Sequence, residues 1–196
     1  MNKEKENILL MNNVDLINKD GTFDFKVEKK LLLNIYNDKS ENININIIQR
    51  KNSLLIVNFT NESYENSNIN INVRILGDNN KCVLNFRGIA SGKLCNVNVS
   101  VKAEENTKGN IIVENLKGLC DGGQILIKPI LEIDTNEVEA SHFVTIGPFS
   151  EESINYLKSL GISKEKTYNL LKKSFKYGIF NDDFLNLLNF KEENNE

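Results

Sequence analysis

Over residues 43–144 the chain alternates apolar and polar positions in short runs, as in Ile43-Asn44-Ile45-Asn46-Ile47, Ile69-Asn70-Ile71-Asn72-Val73 and Val97-Asn98-Val99-Ser100-Val101. A period of two places every apolar side chain on one face, which predicts half-buried β-strands. The runs also recur. Leu55, Ile69, Val83, Val97, Ile111 and Ile125 are each 14 residues apart, and Val57, Ile71, Val99, Val113 and Ile127 echo them two positions later. A fixed interval of this kind is an internal repeat. Between the runs lie Gly77-Asp78-Asn79-Asn80, residues 104–109 and Cys120-Asp121-Gly122-Gly123, rich in residues that tolerate turn dihedrals. Two architectures fit this pattern equally well. In an antiparallel sandwich these segments are hairpin loops. In a two-sheeted parallel β-helix they are corners, one coil takes two repeats, and Leu55 stacks under Val83 and Ile111 while Ile69 stacks under Val97 and Ile125.

After Pro148 the period becomes helical. Ser150 is placed to cap a helix opening on Glu151 and Glu152, with Ile154, Leu157, Tyr156 and Leu160 at three- and four-residue spacing and Gly161 as its stop. Ser163 caps a second helix with an apolar stripe of Tyr168, Leu171 and Phe175, lysines 172, 173 and 176 in its last turns, and Gly178 beyond. A third, shorter helix is predicted from Asp182 to about Phe190, with residues 191–196 a disordered tail. The division is therefore a β core over 1–148 and a helical segment over 149–190.

Composition narrows the classes. With 196 residues, 40% hydrophobic and 26% charged, the chain suits one globular domain with a small appendage. The formal charge of -3 comes from interspersed acids and bases, so no basic patch marks a nucleic-acid binder. No stretch approaches the roughly 20 apolar residues of a bilayer span, and the first 13 residues lack the basic-then-apolar order of a signal peptide. The expected location is cytoplasmic, with no membrane partner. Cys82, Cys95 and Cys120 are odd in number and without CxxC spacing, against a disulfide framework or a structural zinc site. Thirty-three residues are Asn, which fits either a biased genome or a fold with many tight turns.

Two residues are candidates for chemistry. His142 is the single histidine, at the junction of the last strand and the helices. A lone histidine is more often structural than functional, yet neutral imidazole is the side chain best suited to hold a transition metal or move a proton near neutral pH. Alone it cannot close a metal site, and would need Cys120, an acid such as Glu132 or Glu139, or a partner's ligands. Cys120 lies in a Gly-flanked turn where a thiolate can be reached, whereas Cys82 and Cys95 sit at strand starts and suit core packing. No phosphate loop, nucleophile elbow, dinucleotide fingerprint or glycosidase-like acid pair is present, so no enzymatic activity is expected and a β-helical polysaccharide enzyme is disfavoured.

The segment Lys128-Pro129-Ile130-Leu131-Glu132-Ile133, followed by Val138-Glu139-Ala140-Ser141-His142, Thr145, Gly147, Tyr156-Leu157 and Gly161-Ile162-Ser163, closely resembles the C-terminal signature of the SufB/SufD family. The match is specific over residues 128–178, with Phe175 at the closing Phe, and extends more weakly back to about residue 80. The resemblance implies a right-handed parallel β-helix followed by a helical tail that docks a SufC-type ATPase. It also implies pairing with a SufB-like or identical subunit, and a transient iron–sulfur cluster built at the shared interface with no tightly bound cofactor. His142 aligns with the SufD histidine at that interface, and Cys120-Asp121 is similar to the Cys-Asp of SufB's cluster-building strand. The chain departs from the family where Phe143-Val144 replaces Gly-Ala, Asn155 replaces an aromatic and Leu160 replaces Arg. The expected function is that of a short, SufD-like scaffold. The alternative is a degenerate family member that partners SufC without a cluster. The expected cluster-assembly residues are His142 and Cys120. The partner surface is expected to be an exposed patch drawn from Tyr156, Leu160, Tyr168, Phe175, Ile179 and Phe180, rimmed by Lys172, Lys173 and Lys176.

Overall fold

A computed structural model of the chain describes residues 12–39, 42–135 and 137–193. Among them, eleven strands alternate between two sheets. Strands β1 (Asn12–Ile17), β3 (Lys30–Asn37), β5 (Leu54–Ser63), β7 (Lys81–Ala90), β9 (Asn110–Cys120) and β11 (Val138–Ile146) form one sheet in that order. Strands β2 (Gly21–Val27), β4 (Ile43–Gln49), β6 (Ser67–Ile75), β8 (Leu94–Ala103) and β10 (Gln124–Ile133) form the other. Every neighbouring pair is parallel. The chain is therefore a parallel β-solenoid, and the antiparallel sandwich is excluded. Alternation is its cause: in β3 to β9 every second residue, such as Leu55, Val57 and Phe59 or Ile69, Ile71 and Val73, enters a common lumen and is all but fully buried. Each such side chain contributes on the order of 1.5–3 kcal/mol as an upper bound.

The interval of 28 holds between β6 and β8 in one sheet and between β9 and β11 in the other, and fails at the remaining junctions. Ile69 does stack on Val97, but Val97 lies beside Ile127 rather than Ile125. Leu55 pairs with Cys82, and Cys82 with Ile112, so the expected column through Val83 and Ile111 is displaced by one residue. A one-residue slip turns a strand over. Cys82 and Ile112 are accordingly buried, whereas Val83 faces outward and Ile111 is 39% exposed. The coils differ in length, with 24 residues from Leu33 to Val57, 27 from Val57 to Leu84 and 30 from Leu84 to Glu114, so a fixed interval does not stay on the inward face.

The asparagines have two structural tasks. Asn52, Asn79 and Asn106 occupy corners at φ of 57°, 54° and 61°, the left-handed region that Asn tolerates better than most residues. Others form amide ladders between coils. On the outer face of the first sheet, Asn34 donates to Asp15 at 3.0 Å, Asn58 to Asn34 at 3.1 Å, Asn85 to Asn58 at 2.9 Å and Asn115 to Asn85 at 3.1 Å. The second sheet repeats this with Asn98 to Asn70 to Asn44 and Asn72 to Asn46 to Asp24. All of these rungs point toward the N-terminal coil, where the carboxylates of Asp15 and Asp24 accept the last donors of their rows. Removing a rung leaves two amides short of a partner. Asn58→Ala is expected to cost about 1–3 kcal/mol, read as a melting temperature lower by several degrees. An unchanged melting temperature would show that water replaces the ladder at no cost.

Three helices follow: α1 (Glu151–Ser159), α2 (Lys164–Tyr177) and α3 (Asp182–Glu193). Ser150 and Ser163 cap the first two by accepting from the amides of Ser153 and Lys166, and Gly161 adopts φ of 80° at the stop. The third helix runs to Glu193, past the predicted end at Phe190, while 194–196 lie outside the described residues. No helix among the described residues is long and apolar enough to cross a membrane. The tail does not cap the end of the solenoid. It folds back along the outer face of the first sheet, from Phe149 beside Tyr168 and Phe175, with Arg87 over the Phe175 ring, past Glu62, to Tyr36 and Ile17 of the early coils.

Candidate functional site at the open end of the solenoid

Because the helices run back along the side, nothing among the described residues is stacked on β10 and β11. Ile133, His142, Val144 and Ile146 are in phase with the buried residues Ala103, Glu114, Leu116 and Gly118 of the coil beneath, yet all are exposed. They form the mouth of the lumen. On the outer faces of the same coil, Leu126, Ile130 and Phe143 are exposed by 43%, 45% and 61%. An apolar rim around an unpaired strand edge is the form of a contact surface.

His142 lies in the middle of β11, pointing inward by register. Its column through the solenoid is Leu33, Val57, Leu84, Glu114, His142. Four of these residues are fully buried, and Glu114, at 0% exposure, has no hydrogen-bond partner for either carboxylate oxygen. Burial alone pushes its carboxyl up to about 7. The Cys82 thiol, raised first by burial and then by the Glu114 charge, is its titratable neighbour on the inner side. Glu114 is hidden in the sequence because the 14-residue interval places Ile111 and Val113 on the inside. Once Ile112 and Leu116 are seen to face inward, Glu114 falls between them in the same phase.

Cys120 is exposed at the β9–β10 corner. It stands six residues along the strand from Glu114, the partner of His142, so it is about 20 Å from the histidine within one chain. The structure does not bring the two together. Beside it, Asp121 accepts from Lys172 at 2.6 Å and from Tyr168 at 3.0 Å. Lys172 also meets Glu62 at 2.8 Å, and Lys176 meets the other Glu62 oxygen at 2.8 Å. Burial would raise the Glu62 carboxyl, but the two lysines outweigh it and hold it down to about 2.

The expected partner patch therefore divides. Tyr156 and Leu160 are exposed by 64% and 61%. Phe180 is buried against Phe184, Ile179 joins the cluster around Tyr36, Tyr168 is tied to Asp121, and Phe175 is half-buried against Phe149 and Arg87. Lys172 and Lys176 do not rim an open surface, since they are spent on Glu62 and Asp121, whereas Lys173 is exposed. The reason is the lengthwise course of the tail, which offers the apolar stripes a whole sheet face instead of one narrow end. Among the described residues no cluster of three His, Cys, Asp or Glu side chains is assembled for a metal.

A two-sheeted parallel solenoid with an open last coil and a side-docked helical tail defines a β-helical scaffold. The sequence model described as SUF system FeS cluster assembly, SufBD core domain, matches residues 49–175, more than half of the chain. The chain belongs to this family, whose members serve in the assembly of iron–sulfur clusters. No curated protein matches it individually.

Proposed function

We propose that this protein is a SufD-like scaffold whose open coil is covered by a second family subunit, either SufB-like or another copy, with His142 turned into the site they share. The observation that carries this reading is the uncapped mouth, where lumen-phase residues Val144, Ile146 and Ile133 stay exposed around the single histidine. Burying them would recover apolar stabilisation that the isolated chain forgoes, and edge pairing through β11 would add main-chain hydrogen bonds. The transient iron–sulfur cluster is then cargo at the interface. Cys120 acts separately, at the corner that the tail grips. The helix α1, with Tyr156 and Leu160 exposed and an apolar hollow of about 430 Å³ beside it at Ile154, Thr167 and Tyr168, is the docking surface for a SufC-type ATPase in the cytoplasm.

Anaerobic reconstitution with a SufC-type ATPase and a SufB-like subunit tests this. The wild-type assembly should develop cluster absorbance that His142→Ala loses. Because the side chain is exposed, that variant should melt within a few degrees of wild type. Normal cluster formation by His142→Ala returns the histidine to a structural role. An assembly that binds ATPase and never carries a cluster supports the degenerate-partner reading. Replacing Tyr156 and Leu160 together by Ala should weaken ATPase binding by tenfold or more, about 1.4 kcal/mol, without moving the melting temperature. Equal binding by the double variant would place the ATPase elsewhere.

A further inference from the structure

We infer that Glu114 and His142 together form a divalent transition-metal site at the mouth of the lumen, with oxygen and nitrogen ligands from one chain and the remaining positions left to water or a partner. It rests on the reading above for its biological sense, and it adds a ligand that the family signature does not contain.

Glu114 carries the argument. Glu62 and Glu114 are the two buried carboxylates among the described residues. Glu62 is satisfied by two lysines, Tyr64 and Ser91. Glu114 has neither a cation nor a hydrogen bond, and the residues beneath it in its column are Leu84, Val57 and Leu33. A buried carboxylate without a partner is costly. On its open side, one strand away, stands the exposed His142.

Adjacent parallel strands lie about 4.8 Å apart, with paired residues on the same face. Ligand atoms bound at about 2.0–2.2 Å to one metal are themselves about 3 Å apart, a separation that two side chains rooted on neighbouring strands can reach by rotation about their own bonds. The position is also selective. Imidazole with carboxylate suits Fe(II), Co(II), Mn(II) or Zn(II) rather than Cu(I), which favours thiolates. An ion held there is walled by Leu116 and Leu84 below and open above, the side from which a partner or a delivered sulfur species would approach. A carboxylate that gains a cation also gains the compensation that the metal-free fold denies it.

Isothermal titration of the tag-free chain with Co(II), alongside its visible absorption, reads the site without any cluster. Wild type should take up one Co(II) with the weak visible bands of oxygen and nitrogen ligation. His142→Ala should abolish binding. Glu114→Gln, nearly isosteric, should weaken it by about tenfold or more, since the loss of even an outer partner of a ligand costs that much. Far-UV circular dichroism and melting of Glu114→Gln separate a lost ligand from a lost fold. Glu114→Asp, which keeps the charge on a shorter arm, should retain more affinity than Glu114→Gln. The inference is overturned if wild type takes up no Co(II) at millimolar concentration, if folded Glu114→Gln binds as wild type does, or if a near-ultraviolet thiolate band that vanishes in Cys120→Ser shows the metal on the cysteine. Co(II) binding by Glu114 and His142 in a chain that supports no cluster assembly would leave the site standing and remove the assembly reading. Assembly without Co(II) binding would do the reverse.

Discussion

Raising the pH from about 4.5 to above 7 in metal-free buffer is expected to cost this protein about 3 kcal/mol of stability through Glu114 alone. Its carboxyl titrates near 4.5 when unfolded and is pushed up to about 7 by burial in the lumen. Between those values the folded chain holds a proton that the unfolded chain has released, so stability falls as pH rises. Below the lower value both states are protonated and the contribution is absent. Above the upper one the full cost is present, and one unit corresponds to 1.36 kcal/mol. Glu114→Gln removes the titration and should flatten this part of the curve, with the gap between the two proteins widening up to pH 8. Glu114→Leu, which continues the Leu84 column, should melt well above wild type at pH 8, at about 2–4 °C per kcal/mol for a chain of this size. Melting curves at half-unit steps of pH provide the check. A wild-type slope shared by Glu114→Gln would mean that the carboxylate is solvated after all.

The second large effect belongs to the clamp on the tail. Glu62→Gln is expected to release α2 and α3 from the solenoid at a cost of about 3–5 kcal/mol, the usual penalty for removing one member of a buried ion network. Lys172 would keep Asp121, but Lys176 would lose its carboxylate and be left with Tyr36 and Tyr177, whose ring centres lie 5.0 and 5.3 Å away, with its own carbonyl held by Thr60. The loss should be local. Amides of α2 should exchange faster and trypsin should cut earlier at Lys164 and Lys166, while the amides of β5 to β9 keep their protection. Acid should imitate the substitution in wild type. Glu62 titrates at about 2 when folded and near 4.5 when unfolded, so its contribution is whole above 4.5 and is lost as pH falls toward 2. Its pH dependence is opposite in sign to that of Glu114 and lies in a lower window, so the two can be read separately. Slow exchange across α2 in Glu62→Gln would show that the apolar contacts of Phe180, Phe184 and Leu188 hold the tail without the ion pairs.

How much of this was legible beforehand follows from which forces are local. The alternation of Ile and Val with Asn dictated strands, and Ser150, Ser163, Gly161 and Gly178 marked two helices to within a residue or so, because caps and side-chain alternation act over one to four residues. The signature from Pro129 to Ser163 pointed to the family and, through it, to parallel coils. Periodicity alone left the sandwich equally open, since hairpin loops and solenoid corners use the same turn residues. Residues before 43 lack the regular interval, so they fall within the expected β core of 1–148 without being resolved into the separate strands β1 to β3.

Register and the path of the tail were decided only in three dimensions. Corner length sets which residue of one coil lies over which residue of the last. A difference of one residue exchanged Val83 for Cys82 and Ile111 for Ile112, and so brought Glu114 into the lumen beneath His142. Whether the helices capped the solenoid or lay along it depended on partners more than a hundred residues away in sequence, such as Thr60 for Lys176. That choice buried Phe180, engaged Lys172 and Lys176, and left the last coil open. The elements and the family are written in near-neighbour patterns, which is why they can be read along the chain. The site is not written there, because an open lumen mouth and a carboxylate without a partner exist only once the coils are stacked and the tail has taken its course.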